Sequence, residues 1–598
     1  MVTMPPAAAG SGVRRLPLGP WEEWLRGVFG AELEDVLSCL RGEDEVMTPE
    51  ALRAMPPTRL SFTNGLVRRM LDRGWSIGRR HLDIDRDGCG TAVYEIEAEG
   101  VTFHFGVFAH PPDEARQGRI REDEYDFFGA ILEGPVDMER LARDHDAFTR
   151  SAWGARTTAD TYGWTVANRS NRLFEHVAGE LARGVQPTAA HLGANGGYLI
   201  RNAGYYGNGR AGTRAWRSLP DGHPLASPYH ADVLSLFLWR IAGCDIVEAT
   251  ARARNPAAPA LDPALTRGLG VGNSSGIGTV AALVRWPAWL SSYVLAREVA
   301  LAHAISRPGP IDAKCTAHVL ALLARAERLY REEPPRELLF EQPAAIAGAL
   351  QRITAAVAEL ARSGLVGATA PRRPWGEIAA VAASTGCREA CEQLHAILVE
   401  AHAETTDAVA ALIPRGMAVE RVVRPEQPVG ELRALLDERF DWALAMDLSA
   451  PGAREFFWYR SEENGENRRG VRAQDPGAEG ETFVDVAGIV QRLAQALAGV
   501  PAKVRVGRFL LEHPEHAFAV SRVQLAGRVP FGEIRANLLD AAFRPGDAIR
   551  FFLSVLGVER PGAASPQWVR GVFFQGAPLL DDLPGGGHDD WMFPHHAG

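Results

Sequence analysis

Lysine is almost absent from this chain, with only Lys314 and Lys503 among 64 basic residues. Arginine holds its proton too firmly to act as an acid, a base or an imine-forming amine, so a lysine kept against that background is a candidate for such chemistry. Lys314 stands beside Asp312, Cys315 and His318, just past the breaker Pro308-Gly309-Pro310, where a helix should start. His223 and His230 flank a proline-containing turn close to Asp232, and an imidazole there exchanges protons near neutral pH. His230 and Lys314 are the candidate catalytic residues. The spacing of His223, His230 and Asp232 matches no metal site, and Cys387 and Cys391 would need further ligands, so no metal is assigned and the cofactor is unknown.

Two glycine-rich stretches supply candidates for binding. Gly207, Gly209 and Gly212 carry the glycine spacing of a dinucleotide fingerprint, but Thr213 to Pro220 reaches a proline too soon for the long helix that such a site uses. Arg201, Arg210 and Arg214 surround the same stretch, and guanidinium groups clamp carboxylate or phosphate through paired hydrogen bonds. The second stretch contains Gly268, Gly270, Gly272, Asn273, Ser274, Ser275, Gly276 and Gly278, just before Thr279 to Val284, which reads as an apolar helix. Free N–H groups and a partial positive charge at a helix start would receive an anion, helped by the serines. A serine pair in such a loop is similar to the mobile loop of the fumarase and aspartase superfamily, which eliminates groups from carboxylates. Here Gly276-Ile277-Gly278-Thr279 stands where that loop has methionine-proline and lysine-asparagine-proline, so no catalytic role is carried over.

The elements that must position these residues suggest an α+β chain, predominantly helical and multi-lobed. Residues 1–20 read as a loose tail. Residues 21–150 form an N-terminal α+β segment, whose alternating Tyr94, Ile96, Ala98 and Val101, Phe103, Phe105, Val107 predict an antiparallel meander from about Trp75 to His110. Residues 151–286 form the glycine-rich region and the expected ligand cleft, with a helix expected from Asn168 and another from about Ala231 to Ile241. Residues 287–424 show helical periodicity throughout and form a large helical lobe. Residues 425–598 form a small C-terminal α+β lobe, in which Val504, Phe518 to Val520 and Val572 to Phe574 read as strands.

At 598 residues, 46% hydrophobic and 23% charged, the chain is long enough for roughly three or four lobes at about 150 residues each. A net charge of −10 offers no basic field for nucleic acid. No uninterrupted apolar run reaches the ~18 residues of a membrane span, and six scattered cysteines suit a reducing compartment, so a cytoplasmic location is expected. The expected function is an enzyme that acts on a small carboxylate- or phosphate-bearing molecule by proton transfer, as a lyase, hydrolase or transferase. Arg201, Arg210, Arg214, Gly272, Asn273, Ser274 and Ser275 would hold the anion, and homo-oligomerisation is left open. A noncatalytic scaffold or regulator built on the helical lobe is the competing reading. A nucleotide-binding module built on the Gly207 stretch is a third, and would need a strand before that stretch and a helix after it.

Overall fold

The structure is a computed structural model that describes residues 18, 20–111, 125–137, 139–143, 161–207, 223–225, 230–276, 287–309, 311–332, 341–362, 373–413, 423–447, 449, 483–531, 545–558, 562–565 and 568–579. Among the described residues nine strands form one sheet, in chain order except that the last two are exchanged at its edge. Strands β1 (Ser76–Ile84), β2 (Gly90–Ala98) and β3 (Val101–Ala109) are the expected meander, with β4 (Phe127–Glu133) and β5 (Thr161–Arg169) continuing it antiparallel. Alternation places Ala92, Tyr94, Ile96 and Ala98 in the main core, while Val93 joins Phe108, Phe128, Trp164 and Val166 on the opposite face. The α+β, predominantly helical class therefore holds.

The glycine-rich region is built differently from the loops that the sequence suggested. Tyr198–Gly207 is strand β6 and Gly270–Gly276 is strand β7. They pair in parallel, with Arg201 opposite Gly272 and Asn202 opposite Asn273. A parallel pair needs a crossover, and the long helix between them supplies it. In chain order, the helices that position the site are α1 (Phe62–Asp72), α2 (Phe174–Ala182) and the crossover helix α3 (His230–Arg254). Helix α2 starts at Phe174 and not at Asn168, which belongs to β5. Helix α3 extends well beyond Ile241 because Cys244, Ile246, Val247 and Ala251 continue its buried face. Glycine is required at position 272 because the Tyr198 ring lies against it, and a Cβ there would come within 2.8 Å of that ring.

The expected helical lobe is present as α4 (Pro287–Ser306), α5 (Ala313–Glu332), α6 (Pro343–Arg362), α7 (Pro374–Ser384) and α8 (Arg388–Ala401). Among the described residues only α6 has the length and apolar composition to cross a membrane. Its Ile346, Leu350, Ile353, Val357 and Leu360 form a buried stripe, and it packs on α5, α7 and α8. Helix α8 gathers buried charge from distant parts of the chain. Glu392 binds Arg41 at 2.6 Å and Arg297 at 2.9 Å, and Glu298 of α4 binds both arginines. Glu400 binds Arg59 and Arg68, and Glu389 takes both Nη atoms of Arg550.

The C-terminal region departs from expectation in two ways. Phe518 to Val520 lies in helix α9 (Ala517–Ala526), with Ala519 and Val520 inside the hydrophobic core. After helix α10 (Pro545–Leu556), strands β8 (Gly562–Ser565) and β9 (Trp568–Phe573) complete the N-terminal sheet, β9 pairing antiparallel with β7. One apolar core accordingly runs from Leu18 to Ala577.

Candidate functional site

Helix α3 works as a ruler across the sheet. Trp239 Nε1 donates to Thr165 Oγ1 on β5, and further along the helix Gly243 lies against the side chain of Ile200 on β6. From His230 to Gly243 is about 20 Å of helix. Along β6, Arg201 to Gly207 is likewise about 20 Å of strand. The His230 end of α3 thus lies level with the carboxyl end of β6, and Arg201 lies level with the helix's middle.

Three places result. At mid-sheet a buried amide chain crosses three strands: Asn202 Nδ2 donates to Thr165 Oγ1 at 2.7 Å, and Asn273 Nδ2 donates to Asn202 Oδ1 at 3.3 Å. Arg201 and Gly272 sit beside it in register, so the strand that leads into the first glycine-rich stretch neighbours the second, while Gly209 and Gly212 lie outside the described residues. Ser274 and Ser275 lie further along, at the carboxyl end of β7. Arg210, Arg214 and the expected helix from Thr279 to Val284 are outside the described residues.

The second place is the carboxyl edge of β6 and β7, where α3 starts. Here a hydrogen bond links two titratable residues, with a third acting on them. The Leu225 N–H donates to His223 Nδ1 at 3.0 Å, which leaves the neutral ring's hydrogen on Nε2, and Nε2 is 3.0 Å from Tyr162 Oη. The Glu133 carboxylate, exposed at the end of β4, acts electrostatically on the Tyr162 hydroxyl. Tyr162 reaches this position because it is the extra residue where the β4–β5 register shifts between Ile131 and Leu132. A bulge re-aims a side chain, and this one sets the Tyr162 ring edge-on to Phe103. Burial lowers the His223 pKa, and burial with the Glu133 carboxylate raises that of Tyr162, so both stay neutral around pH 7.

His230 adjoins this group. Its Nδ1 is 3.4 Å from Arg69 Nη1 and 3.3 Å from the Pro224 carbonyl, to which Arg69 also donates. Arg69, on α1, is anchored by two bonds to Glu99. Burial works against ionised Glu99, but Arg69 and Trp75 outweigh it and hold its pKa below the usual value. Asp232 follows in the first turn of α3, its Oδ2 buried and without a hydrogen bond from any described residue. Burial pushes this carboxyl up to about 8.

The third place holds Lys314, exposed in the first turn of α5, a helix that packs mainly on α6 and α8 and not on the sheet. The structure therefore does not bring Lys314 to His230. Its neighbour Cys315 has Sγ 3.9 Å from His402 Nε2, but burial and Asp312 push the thiol up to about 11, so it is protonated near neutral pH. Among the described residues no three His, Cys, Asp or Glu side chains gather closely enough to hold a metal ion.

Sequence reasoning found His223, His230 and Asp232 but missed Tyr162, Glu133 and Arg69. These three come from separate strands and a helix, and only a bulge and a crossover unite them. Comparison with known protein families, curated proteins and solved structures finds no match to this chain.

Proposed function

We propose that the chain is an enzyme that binds a small carboxylate- or phosphate-bearing molecule at the carboxyl edge of β6 and β7 and transfers a proton there. The observation that carries this reading is the β6–α3–β7 unit: among the described strands, β6 and β7 are the one parallel pair, and α3 starts at their carboxyl ends. In parallel sheets that edge is where ligands bind, because strand ends diverge and a helix start offers N–H groups and positive charge. His230, beside Arg69 at the same edge, is the imidazole that would exchange a proton with the bound molecule, with the neutral His223–Tyr162 pair fixed next to it. Arg201 lies about 20 Å from the end of β6, and Ser274 and Ser275 stand between the two, about 7–10 Å along the sheet from Arg201.

The scaffold reading predicts an exposed apolar patch on the helical lobe. Among the described residues the exposed large hydrophobic side chains are Val28, Val185 and Leu511, all outside residues 287–424. The nucleotide reading has one observation in its favour, since β6 runs directly into Gly207 of the glycine-spaced stretch. A thermal-shift series with sulfate, small carboxylates and nucleotides decides among these readings. The expected result is a higher melting temperature with one anion class, reduced in His230→Ala and kept in Arg201→Ala. A shift confined to nucleotides would favour the nucleotide module. No shift, or one lost only in Arg201→Ala, would overturn the site.

A further inference from the structure

Beside His223 and Tyr162 the same edge holds one further carboxyl, that of Asp232, half-buried with its Oδ2 closed off from water. Asp232 is seven residues before Trp239, which reaches Thr165 on β5. Seven residues are about two helical turns, so both side chains lie on the sheet-facing side of α3. A carboxylate in the first turn of a helix is ordinarily favoured by the dipole. Here that advantage and a hydrogen bond from its own backbone N–H are outweighed by burial, because Oδ2 is sealed from water and no described residue donates to it. The group holds its proton at neutral pH, as its pKa of about 8 also indicates. A protonated carboxyl is an O–H donor, and such a donor at a helix start is matched by an anionic oxygen.

We propose that Asp232, in its protonated form, donates a hydrogen bond to the anionic oxygen of the molecule bound at this edge, so that anion binding and proton binding are coupled at one carboxyl. The proposal rests on the anion-binding reading above and adds that the ligand's charge is received by a neutral acid. Once ionised, Asp232 would repel the same anion. Affinity should therefore fall with rising pH by up to about tenfold per unit once the carboxyl titrates. Among the described residues the charged and titratable groups that face this end of α3 are Arg69 and Glu99 from α1 and the β2–β3 turn, Tyr162 and Glu133 from β5 and β4, and His223 and His230. With Tyr162 raised and His223 lowered, neither changes charge between about pH 7.5 and 9. Repeating the titration in His230→Gln removes the remaining imidazole as a source.

The test is calorimetric titration of the full chain with sulfate and with succinate, whose charges are fixed above about pH 6.5, from there to about pH 9.5. Wild-type affinity for one of them should drop steeply above about pH 8, and Asp232→Asn, which keeps an N–H donor without the titration, should bind equally across the range. Asp232→Ser is the second variant if the first fails to fold. Binding without a pH slope, or an unchanged slope in these variants, overturns the coupling and leaves the site standing. Absence of binding by both anions overturns the site and the coupling together.

Discussion

The edge where α3 starts and the layer where α4 meets α8 both bury ionisable groups, but they treat them in opposite ways. Between α4 and α8 the charges are matched: Glu392 and Glu298 share Arg41 and Arg297, and Glu389 faces Arg550 through two bonds. At the sheet edge His223 and Tyr162 are linked as neutral donor and acceptor beside the Arg69–Glu99 pair, and Asp232 Oδ2 receives nothing from the described residues. Matched burial fixes a packing arrangement, since either partner alone would be a stranded charge. Unmatched burial stores a proton whose release depends on what binds beside it. The contrast separates residues that hold the molecule together from residues that remain available for chemistry.

The largest effect should come from breaking a match. Glu392→Gln leaves Arg41 and Arg297 with one carboxylate between them and should lower unfolding stability by about 3–5 kcal/mol in urea titrations. A loss under about 1 kcal/mol would mean that the ionic layer is not what fixes these helices. Burial alone would raise the Glu392 pKa, yet Arg41, Arg297 and His395 hold it well below the usual range. Its contribution is thus present at neutral pH and lost as pH falls through that lowered value.

Asp232 should show the opposite sign, with an effect of comparable size. Its folded pKa is raised, so its stabilising contribution is full below the ordinary aspartate value and is lost as pH rises towards about 8. Across that window it should cost up to about 1.4 kcal/mol per pH unit. Thermal unfolding of Asp232→Asn should therefore gain on the wild type as pH rises from 5 to 8, and parallel curves would return Asp232 to the matched class. The smallest effect is expected at Lys314. Lys314→Ala should change stability by no more than about 0.5 kcal/mol and leave anion-induced thermal shifts intact. A lost shift would restore it to the site.

Where structure follows local pattern, the sequence was readable. Alternation in Tyr94–Ala98 and Val101–Val107 and the apolar stripe of α6 each declare their own element. The glycine-rich strands were not readable, because Gly270 to Gly276 lacks the β-branched residues and the alternation that mark a strand, and β7 is paired on both sides by segments far away in sequence. Phe518 to Val520 misled for the converse reason, since a short apolar run fits a buried helix face as well as a strand. His223 and His230 were visible as titratable residues near a turn. Their partners Tyr162, Glu133 and Arg69 were not, because the bulge at Tyr162 and the crossover by α3 are tertiary facts.

The pairing of β7 with β9 also bears on how the protein is made. Gly276 waits for Trp568, and Arg240 waits for the carbonyls of Ala577 and Pro578. During synthesis the β6–α3–β7 unit is complete in sequence long before its outer neighbour leaves the ribosome. Until then one side of β7 is an open strand edge able to pair with another chain, and Arg240 lacks two of its acceptors. The region proposed to bind the ligand is therefore among the last parts of the sheet to close, and folding there is set by delivery of the distant chain end more than by local propensity.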